Sequence, residues 1–351
     1  MKVAMLLSGG VDSSVALSLL CEQGHDATAF YLKVWLEDEL AHLGECPWEE
    51  DLRYARGVCE QLRVPLEVRS LQGPYWNHVV SYAVEELRAG RTPSPDLLCN
   101  QRIKFGAFLD SVEPGWDRVA SGHYARVEEA AGGVLLKKAV DPVKDQTYFL
   151  ALLDQRQVKR SLFPIGELRK TEVRSRARAL GLPNKDRKDS QGICFLGKIP
   201  YREFVRHHLG EREGDVVDVG TGKVVGQHRG YWFHTIGQRQ GLGLSHGPWF
   251  VRGKDVARNV VYVVHADKLL EEAVDRYEVE NFNWIAGPPE RRELQVRVRH
   301  GGELLDAGLA LNGERGLVQL DRKDPGIAPG QFTVFYDGDV CLGGARVRHG
   351  G

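Results

Sequence analysis

The residues with the clearest chemical potential near the start of the chain are 8–14, SGGVDSS. They follow a short apolar run, residues 3–7, that predicts a buried strand, and they precede apolar residues at helical spacing over 15–20. A glycine-rich turn between a strand and a helix leaves unpaired N–H groups at the start of the helix, and these groups attract phosphate. The two glycines also let the backbone approach a ligand closely. The stretch therefore predicts a phosphate-binding turn.

This turn contains a carboxylate, Asp12, at a place where an anion is expected to bind. It matches neither common nucleotide motif, because it has no Lys for a Walker A loop and lacks G-x-G-x-x-G. Without a lysine, a metal ion is the natural way to offset phosphate charge, and a carboxylate is a hard oxygen ligand that suits Mg²⁺. The alternative is that Asp12 or Ser13 only caps the helix.

Two of the six cysteines lie in polar surroundings that suit a reactive thiol. Cys99, in PSPDLLCNQRIKF, is expected at a loop-to-helix junction near Arg102 and Lys104, and both a helix N terminus and cations lower a thiol pKa. Cys194 lies in KDSQGICFLG, a polar loop that contains glycine. The alternative for each cysteine is a small core residue. No two cysteines form a C-x-x-C pair, which removes the signature of zinc ribbons and thioredoxin-like sites.

The elements that must position these residues alternate between strand and helix over the first part of the chain. The predicted strands are MKVAMLL, ATAFYLKVW, PLEVRSL and RVASGHYARV. Such alternation predicts a parallel sheet that is covered on both faces, with ligands bound beyond the carboxyl ends of its strands. SGGVDSS and SGHYA both fall at that edge.

Residues 156–188 form a segment that is predicted to be helical and is strongly basic. It contains eleven Lys and Arg residues against three acids, a local net charge of +8 in a chain whose net charge is −1. A solvated helix face is the alternative, but an excess of this size favours a phosphate-rich partner. The near-neutral total argues against a nonspecific polyanion binder.

The character of the chain changes after about residue 205, where glycine-rich turns and short β-like runs recur. They predict a small antiparallel barrel at the carboxyl terminus. We place the domain boundaries at 1–203, 204–275 and 276–351. With 351 residues, no apolar run of membrane-spanning length and no signal peptide, the chain is expected in the cytoplasm, although a mature organellar form is also possible.

Taken together, six stretches resemble, in this order, those of the tRNA-specific 2-thiouridylases, the MnmA (TrmU) family. The stretches are SGGVDSS, PSPDLLCNQRIKF, SGHYA, VKDQTYFL, DSQGICF and GQRQGLGL, and the resemblance covers essentially the whole chain. SGGVDSS alone is shared by a wide superfamily of ATP pyrophosphatases, whereas its combination with C-N-x-x-I-K-F and S-x-G-I-C-F is much more specific. The resemblance implies an α/β ATP-pyrophosphatase domain (adenine nucleotide α-hydrolase-like), a small central β-rich domain and a C-terminal antiparallel β-barrel.

The resemblance also implies an ATP site with Mg²⁺ at Asp12, on the pyrophosphate that departs. Leu32 falls where the family has an adenine-contacting Met, and Gly122 resembles a second ATP-contacting position. The implied ATP-binding residues are Leu6, Leu7, Ser8, Gly9, Gly10, Val11, Asp12, Ser13, Leu32 and Gly122.

The tRNA contacts that the resemblance implies lie in three short motifs. The family's N-P-D motif at the target base is matched by Ser94, Pro95 and Asp96, with Ser in place of Asn. Its K-D-Q motif is matched by Lys144, Asp145 and Gln146. The third motif, where the family often has R-Y-R, corresponds here to Arg297 and Val298. An aromatic contact of the R-Y-R motif is absent here, but both positive charges are kept in Arg297 and Arg299. The family suggests tRNAs for Lys, Glu and Gln as substrates.

The reaction that the resemblance implies is replacement of the C2 oxygen of the wobble uridine by sulfur. ATP adenylates that oxygen, Cys194 carries persulfide sulfur and Cys99 is the nucleophile. Either Cys99 releases sulfide from the persulfide, leaving a disulfide with Cys194, or the persulfide attacks the base and Cys99 resolves the intermediate. Both routes need a cysteine desulfurase or sulfur-relay protein as donor. Arg102 stands where some relatives have a third cysteine, so no iron–sulphur cluster is expected.

Three other functions compete with this interpretation. Another ATP pyrophosphatase, such as an amidotransferase synthetase or a tRNA lysidine synthetase, would need no paired redox thiols. A different thiolation enzyme would bring a C-x-x-C site or an extra RNA-binding domain, and neither is visible here. A non-enzymatic RNA-binding module would bind tRNA without releasing AMP.

Overall fold

The computed structural model describes residues 1–34, 48–189 and 200–350. Its strands, in chain order, are β1 (Lys2–Leu6), β2 (Asp26–Lys33), β3 (Leu66–Ser70), β4 (Arg118–Ser121), β5 (Ala125–Ala130), β6 (Gly133–Lys138), β7 (Ser161–Leu162), β8 (Gly214–Asp218), β9 (Val224–His228), β10 (Trp249–Asp255), β11 (Val260–His265), β12 (Val274–Trp284), β13 (Glu293–Arg297), β14 (Leu305–Asn312), β15 (Arg315–Asp324), β16 (Phe332–Asp337) and β17 (Val340–Gly350). Its helices are α1 (Val11–Glu22), α2 (Trp48–Leu62), α3 (72–88), α4 (95–112), α5 (Thr147–Leu150), α6 (Gln155–Arg160), α7 (Lys170–Ala179) and α8 (Tyr201–Leu209).

Both longer helical runs, α3 and α4, contain a π-helical stretch, at Trp76–Val80 and Cys99–Ala107 respectively. Short 3₁₀ turns lie at Glu113–Gly115, Tyr231–Phe233 and Ala266–Lys268. None of the helices in the described ranges is long and apolar enough to cross a membrane.

The amino-terminal part is built on a parallel sheet with the strand order β3-β2-β1-β4-β7. Its central strand, β1, is buried on both faces: Ala4 and Leu6 face one hydrophobic cluster, while Val3 and Met5 face the other, together with the apolar side of α1. An apolar run without alternation is what a strand with two covered faces requires. The predicted parallel sheet is confirmed.

The short strand β7 interrupts the basic segment, which the sequence predicts to be helical. Helices α6 and α7 are separated by β7, which pairs in parallel with β4 through Ser161 and Leu162. A two-residue strand is too short to produce a periodic signal, and the pairing with β4 decides its conformation.

The middle of the chain forms a mixed sheet with the order β10-β11-β8-β9. Strands β11 and β8 run parallel, whereas the outer pairs are antiparallel. Val216, Val261 and Val263 form its small core together with Tyr231.

The carboxyl-terminal strands form the predicted antiparallel barrel. The order is β12-β15-β14-β13-β16-β17, and a further pairing between β12 and β17 closes the sheet on itself. Alternate side chains, among them Val279, Val296, Val318 and Phe335, fill the interior. Closure satisfies the sheet edges that open strands would leave exposed.

The barrel sheet continues into the amino-terminal part through the hairpin β5–β6. Strand β6 pairs with β17 at Leu136 opposite Cys341 and at Lys137 opposite Val340. The side-chain amide of Asn283 in β12 donates to the carbonyls of Ala151 and Leu153, both at 3.0 Å. Backbone pairing therefore fixes the barrel to the part of the chain that carries the phosphate-binding turn.

A buried ion pair reinforces this junction. Arg297 in β13 lies 2.6 Å from the carboxylate of Asp145, and the two side chains are 12% and 1% exposed. The same carboxylate accepts hydrogen bonds from the backbone of Ala139 and the hydroxyl of Thr147. Asp145 is thus a charge held in the interior by donors from both parts of the chain.

We predict that Arg297→Met lowers the free energy of unfolding by about 3 to 5 kcal/mol, because it leaves Asp145 buried without its counterion. Urea unfolding followed by circular dichroism measures this. The control is Arg291→Met, since Arg291 lies 4.0 Å from Asp337 in an exposed pair and should change stability by about 0.5 kcal/mol or less. Equal effects of the two substitutions would contradict the structural role of the buried pair.

Candidate active site

The turn after β1 presents an uncapped helix end at the carboxyl edge of the sheet. The N-cap of α1 is Gly10, with φ −79° and ψ 159°, and no side chain caps the helix. The hydroxyls of Ser13 and Ser14 instead donate back to the carbonyl of Gly10, at 3.0 and 2.9 Å. The alternative that Asp12 or Ser13 only caps the helix is therefore wrong. The uncapped end has the positive potential that attracts phosphate.

Two glycines allow this turn to pack against its neighbours. Gly9 has φ +77°, and a Cβ atom there would lie 2.3 Å from the carbonyl oxygen of Asp51. A Cβ atom at Gly122, directly after β4, would lie 2.6 Å from the backbone nitrogen of Ser13. These are backbone contacts that a side chain cannot relieve by rotating, so glycine is required at both positions. The structure thus places Gly122 against the turn, and its contact with ATP stays a prediction.

Within the described part of the chain, the carboxylate of Asp12 contacts two side chains, Lys170 and Tyr124. The ammonium of Lys170, at the start of α7, lies 2.7 Å from Oδ1 and 2.9 Å from Oδ2, and the Tyr124 hydroxyl donates to Oδ1 at 3.0 Å. Burial and the adjacent Asp12 carboxylate raise the pKa of Tyr124, so the phenol stays protonated and can donate. Lys170 thus places an ammonium group beside a turn that has no lysine of its own.

A second carboxylate, Asp189, forms ion pairs with three cationic side chains beside the turn. It accepts from Lys170 at 2.7 Å and from Lys144 at 3.0 Å, and it also pairs with Arg174. Burial raises the pKa of Asp189, but hydrogen bonds from Lys170 and Lys144 outweigh this effect and lower it to about 2. Asp189 therefore stays ionised and holds both lysines at the edge of the site.

Residues at the end of the basic segment also donate hydrogen bonds to the turn. The amide of Asn184 donates to the carbonyl of Gly9 at 2.8 Å and to the hydroxyl of Ser14 at 2.9 Å. Arg187 donates to the same Gly9 carbonyl at 3.1 Å and pairs with Asp51. Sequence reasoning missed these residues and Lys170 because it treated the segment only as a surface for tRNA. The missing lysine of the turn was the signal that could have directed attention to a distant basic helix.

Other basic residues of 156–188 have partners within the chain. Arg156 pairs with Asp110, Arg160 donates to the carbonyl of Trp116, and Arg176 lies 3.3 Å from Glu22. Arg156 and Arg176 are nevertheless exposed, as are Lys159, Arg169, Arg178 and Lys188. That this segment binds tRNA stays a prediction.

Cys99 lies inside helix α4 and not at the loop-to-helix junction that the sequence predicted. Ser94 is the N-cap and Pro95 the first helical residue, so Cys99 lies one turn further along, where the π-helical stretch begins. Proline favours the first position of a helix because its fixed φ suits that position and its missing N–H is not needed there. Cys99 is 2% exposed. Cys194 lies outside the described residues.

The helix that carries Cys99 approaches the phosphate-binding turn through aromatic contacts. The ring of Phe105 lies 6.3 Å from that of His123, which follows Gly122. His123 is partly buried, and desolvation together with the nearby charge of Lys104 lowers its pKa well below the usual value, so its ring is neutral. This contact links helix α4 to the residues after β4, where Gly122 lies against Ser13 of the turn.

The structure gives the predicted tRNA-contacting residues several contacts within the chain. Asp145 and Arg297 form the buried pair, Val298 is buried, and the side-chain oxygen of Gln146 accepts from the backbone of Tyr124 at 2.9 Å. Lys144 lies on Asp189. The other members are Ser94 and Asp96, which are partly exposed, and Pro95, which is buried. Direct tRNA contact at all these positions stays a prediction.

The predicted nucleotide-facing side chains are mostly packed into the core. Leu6, Leu7 and Val11 are buried, so these positions would meet a nucleotide through their backbone groups. Leu32 in β2 is partly buried and packs against the same cluster as Cys99. Contact with ATP at these residues is likewise a prediction.

Asp12 fits a Mg²⁺ ion that is shared with phosphate. Mg²⁺ in nucleotide sites usually takes one or two protein carboxylates and completes its shell with phosphate and water. Within the described ranges, no group of three or more His, Cys, Asp or Glu side chains could hold a metal, so phosphate and water would supply the other ligands. Since both oxygens of Asp12 accept from Lys170, the ion would replace Lys170 on at least one of them.

We predict that Gly122→Ala weakens binding of inorganic pyrophosphate, measured with Mg²⁺ by titration calorimetry, by about tenfold or more. The added methyl group meets the backbone of Ser13 and must push the turn out of place. The control is Gly115→Ala, where the added atom meets nothing within 4 Å. Unchanged pyrophosphate affinity in Gly122→Ala would show that the turn does not hold phosphate.

A second prediction concerns pH. Because the pKa of Asp189 is lowered from 3.8 to about 2, its ion pairs stabilise the fold fully above pH 4, and this contribution is lost as the pH falls towards 2. The melting-temperature difference between the wild-type chain and Asp189→Asn should therefore shrink over that range. The control is Asp186→Asn, at an exposed pair with Arg178. Parallel pH curves for wild type and Asp189→Asn would contradict the assignment.

The chain matches known proteins from end to end. Residues 1–198 match a family model described as tRNA methyl transferase HUP domain, residues 202–265 match tRNA methyl transferase PRC-barrel domain, and residues 274–347 match Aminomethyltransferase beta-barrel domain. The chain is 46% identical to tRNA-specific 2-thiouridylase MnmA 2 of Bacteroides fragilis (99% of this chain, 100% of the relative), and 45% identical to tRNA-specific 2-thiouridylase MnmA of Porphyromonas gingivalis (100% of both). Its identity to the MnmA of Parabacteroides distasonis is 44%, over 99% of each chain. At such identity and coverage, the chain belongs to the MnmA family of tRNA-specific 2-thiouridylases.

Proposed function

We propose that this chain is an ATP-dependent tRNA-uridine 2-sulfurtransferase that forms 2-thiouridine, AMP and pyrophosphate. The observation that carries the proposal is the identity of 44% to 46%, over essentially the full length, to curated 2-thiouridylases. The uncapped SGGVDSS turn at the carboxyl edge of a parallel sheet supports it, because that geometry suits the phosphates of ATP.

ATP is needed because the C2 carbonyl oxygen of uridine is a poor leaving group. Transfer of adenylate to that oxygen converts it into part of AMP, which leaves readily. The N–H groups of the turn orient the phosphates, and Tyr124 and Lys170 hold the carboxylate of Asp12 in place. Asp12 is the proposed ligand of Mg²⁺, which when bound offsets charge on the departing pyrophosphate.

Two thiols carry the sulfur in this proposal. Cys194 bears a persulfide, and the Cys99 thiolate attacks its inner sulfur, forming a Cys99–Cys194 disulfide and releasing the outer sulfur as hydrosulfide. The hydrosulfide adds to C2, and AMP departs with the former carbonyl oxygen. In the other route, the outer sulfur attacks C2 first and Cys99 then frees the product from Cys194. Either route ends in a disulfide that an external thiol must reduce.

The proposed partners are tRNA and a persulfide donor. A wobble uridine must leave its stack to reach the site, as bases do in other enzymes that act on them. Lys159 and Lys188 are exposed and are proposed to contact phosphates of the anticodon stem. We propose tRNAs for Lys, Glu and Gln as substrates, a cysteine desulfurase or sulfur-relay protein as donor, and the cytoplasm as the place of action.

The descriptions of two matched family models name methyl transfer, which makes methylation the second candidate function. The relatives that match the whole chain are named for thiolation. An enzyme that takes its methyl group from a sulfonium donor has no use for a pyrophosphate-binding turn, which favours thiolation for this chain. The two functions give nucleosides of different mass, so one assay separates them.

We predict that the wild-type chain forms 2-thiouridine in unmodified tRNA when it is supplied with Mg-ATP and a persulfide source, as measured by nucleoside mass spectrometry. Cys99→Ser and Cys194→Ser should each reduce the product at least a hundredfold, because each removes a thiol that the reaction consumes. The control is Cys21→Ser, at a partly exposed free cysteine in α1.

Three outcomes would contradict the proposal in different ways. Full activity of Cys194→Ser would favour an ATP pyrophosphatase without redox thiols. A methylated nucleoside, formed only with a methyl donor, would establish methyl transfer. Binding of tRNA without AMP release, even with a complete donor system, would indicate a non-enzymatic RNA-binding module.

A further inference from the structure

We propose that Lys170, at the start of helix α7, is the phosphate-binding cation of this site. Its ion pairs with Asp12 and Asp189 hold its ammonium beside the turn. The inference deepens the proposed function and rests on it for the identity of the ligand, the β- and γ-phosphates of ATP. By sequence alone, Lys170 belongs to the basic segment 156–188, which is predicted to bind tRNA.

The ammonium of Lys170 has all its donors in use. An ammonium has three N–H groups, and the two oxygens of Asp12 and Oδ1 of Asp189 lie at 2.7, 2.9 and 2.7 Å. The side chain is 15% exposed, unlike that of the exposed Lys159 in the same segment. A group this enclosed is poorly placed to meet the backbone of a large RNA.

Phosphate can enter this arrangement by exchange. Asp12 lies in the first turn of α1, beside the uncapped N–H groups, so its neighbourhood is where a phosphate would bind. Lys170 can exchange one of its hydrogen bonds to Asp12 for a hydrogen bond to a phosphate oxygen, while its contact with Asp189 is kept. Asp12 then has one carboxylate oxygen free for Mg²⁺. Carboxylate oxygens are ligands that Mg²⁺ prefers. The loss of one hydrogen bond between Lys170 and Asp12 thus gives the phosphate a cation and gives Mg²⁺ a carboxylate oxygen.

The neighbouring cations are less suited to this role. Arg174 donates to the backbone carbonyls of Lys185 and Arg187 as well as to Asp189, so its guanidinium is fixed on protein groups. Lys144 contacts the other oxygen of Asp189, Oδ2, and has no described contact with the turn. Among the described residues, Lys170 is the only cation in contact with Asp12. Asp189 acts as a positioning residue for Lys170.

The test measures ligand affinity with the full chain and Mg²⁺ by titration calorimetry, using inorganic pyrophosphate and, separately, AMP. Lys170→Met should weaken pyrophosphate binding about 10- to 100-fold, the effect of losing one charge-assisted contact, and should change AMP binding about twofold or less. The control is Lys223→Met, at an exposed lysine beside β9. Wild-type or tighter pyrophosphate binding by Lys170→Met would overturn the proposal, because a mere counterion of Asp12 would free that carboxylate for Mg²⁺ when removed.

A second variant decides the question if Lys170→Met does not fold, as judged by circular dichroism. Asp189→Asn keeps the lysine but removes its anchor, and should weaken pyrophosphate binding about fivefold; unchanged binding would overturn the proposal. Failure here is distinct from failure of the proposed function. If the wild type forms 2-thiouridine while Lys170→Met binds pyrophosphate normally, only the role of Lys170 fails. If the wild type binds pyrophosphate through Lys170 but thiolates no tRNA, only the proposed function fails.

Discussion

The contact between Gly122 and the backbone of Ser13 is the constraint on which the candidate site depends. It brings the turn after β4 against the turn after β1, at the edge where two neighbouring parallel strands end. Gly9 makes a similar contact with Asp51 on the other side. The phosphate-binding turn is therefore held between two backbones, and its helix end faces outward without a cap. A rigid, uncapped helix end is what anion binding needs.

Three consecutive residues connect this turn to the rest of the molecule. Lys144 reaches Asp189 beside the turn, Asp145 reaches Arg297 in the barrel, and Gln146 accepts from Tyr124, whose hydroxyl contacts Asp12. The K-D-Q stretch is thus a junction of the phosphate site, the barrel and the turn after β4.

Much of the architecture could be predicted from local sequence. Unbroken apolar runs that alternate with helices indicated the parallel sheet, and short strands between glycine-rich turns indicated the barrel. The strand β7 and the pairing of β6 with β17 could not be predicted, because each depends on a partner strand far away in sequence. The same limit applies to the site. SGGVDSS identified Asp12, whereas Lys170 lies 158 positions away and is indistinguishable by sequence from the other basic residues around it. The buried ion pair of Asp145 and Arg297 could likewise not be predicted, because the sequence does not indicate which charged residues are buried.

The proposed function depends on activation of the C2 oxygen of the target uridine by ATP, and the fate of that oxygen shows whether this activation occurs. An anticodon stem-loop carrying ¹⁸O at C2 of the wobble uridine would be incubated with the chain, Mg-ATP and a persulfide donor, and the nucleotide products weighed by mass spectrometry. If the oxygen is adenylated, AMP gains the ¹⁸O label in an amount equal to the 2-thiouridine formed, and pyrophosphate gains none. Formation of 2-thiouridine with unlabelled AMP would contradict it, because the oxygen would then have left without being adenylated.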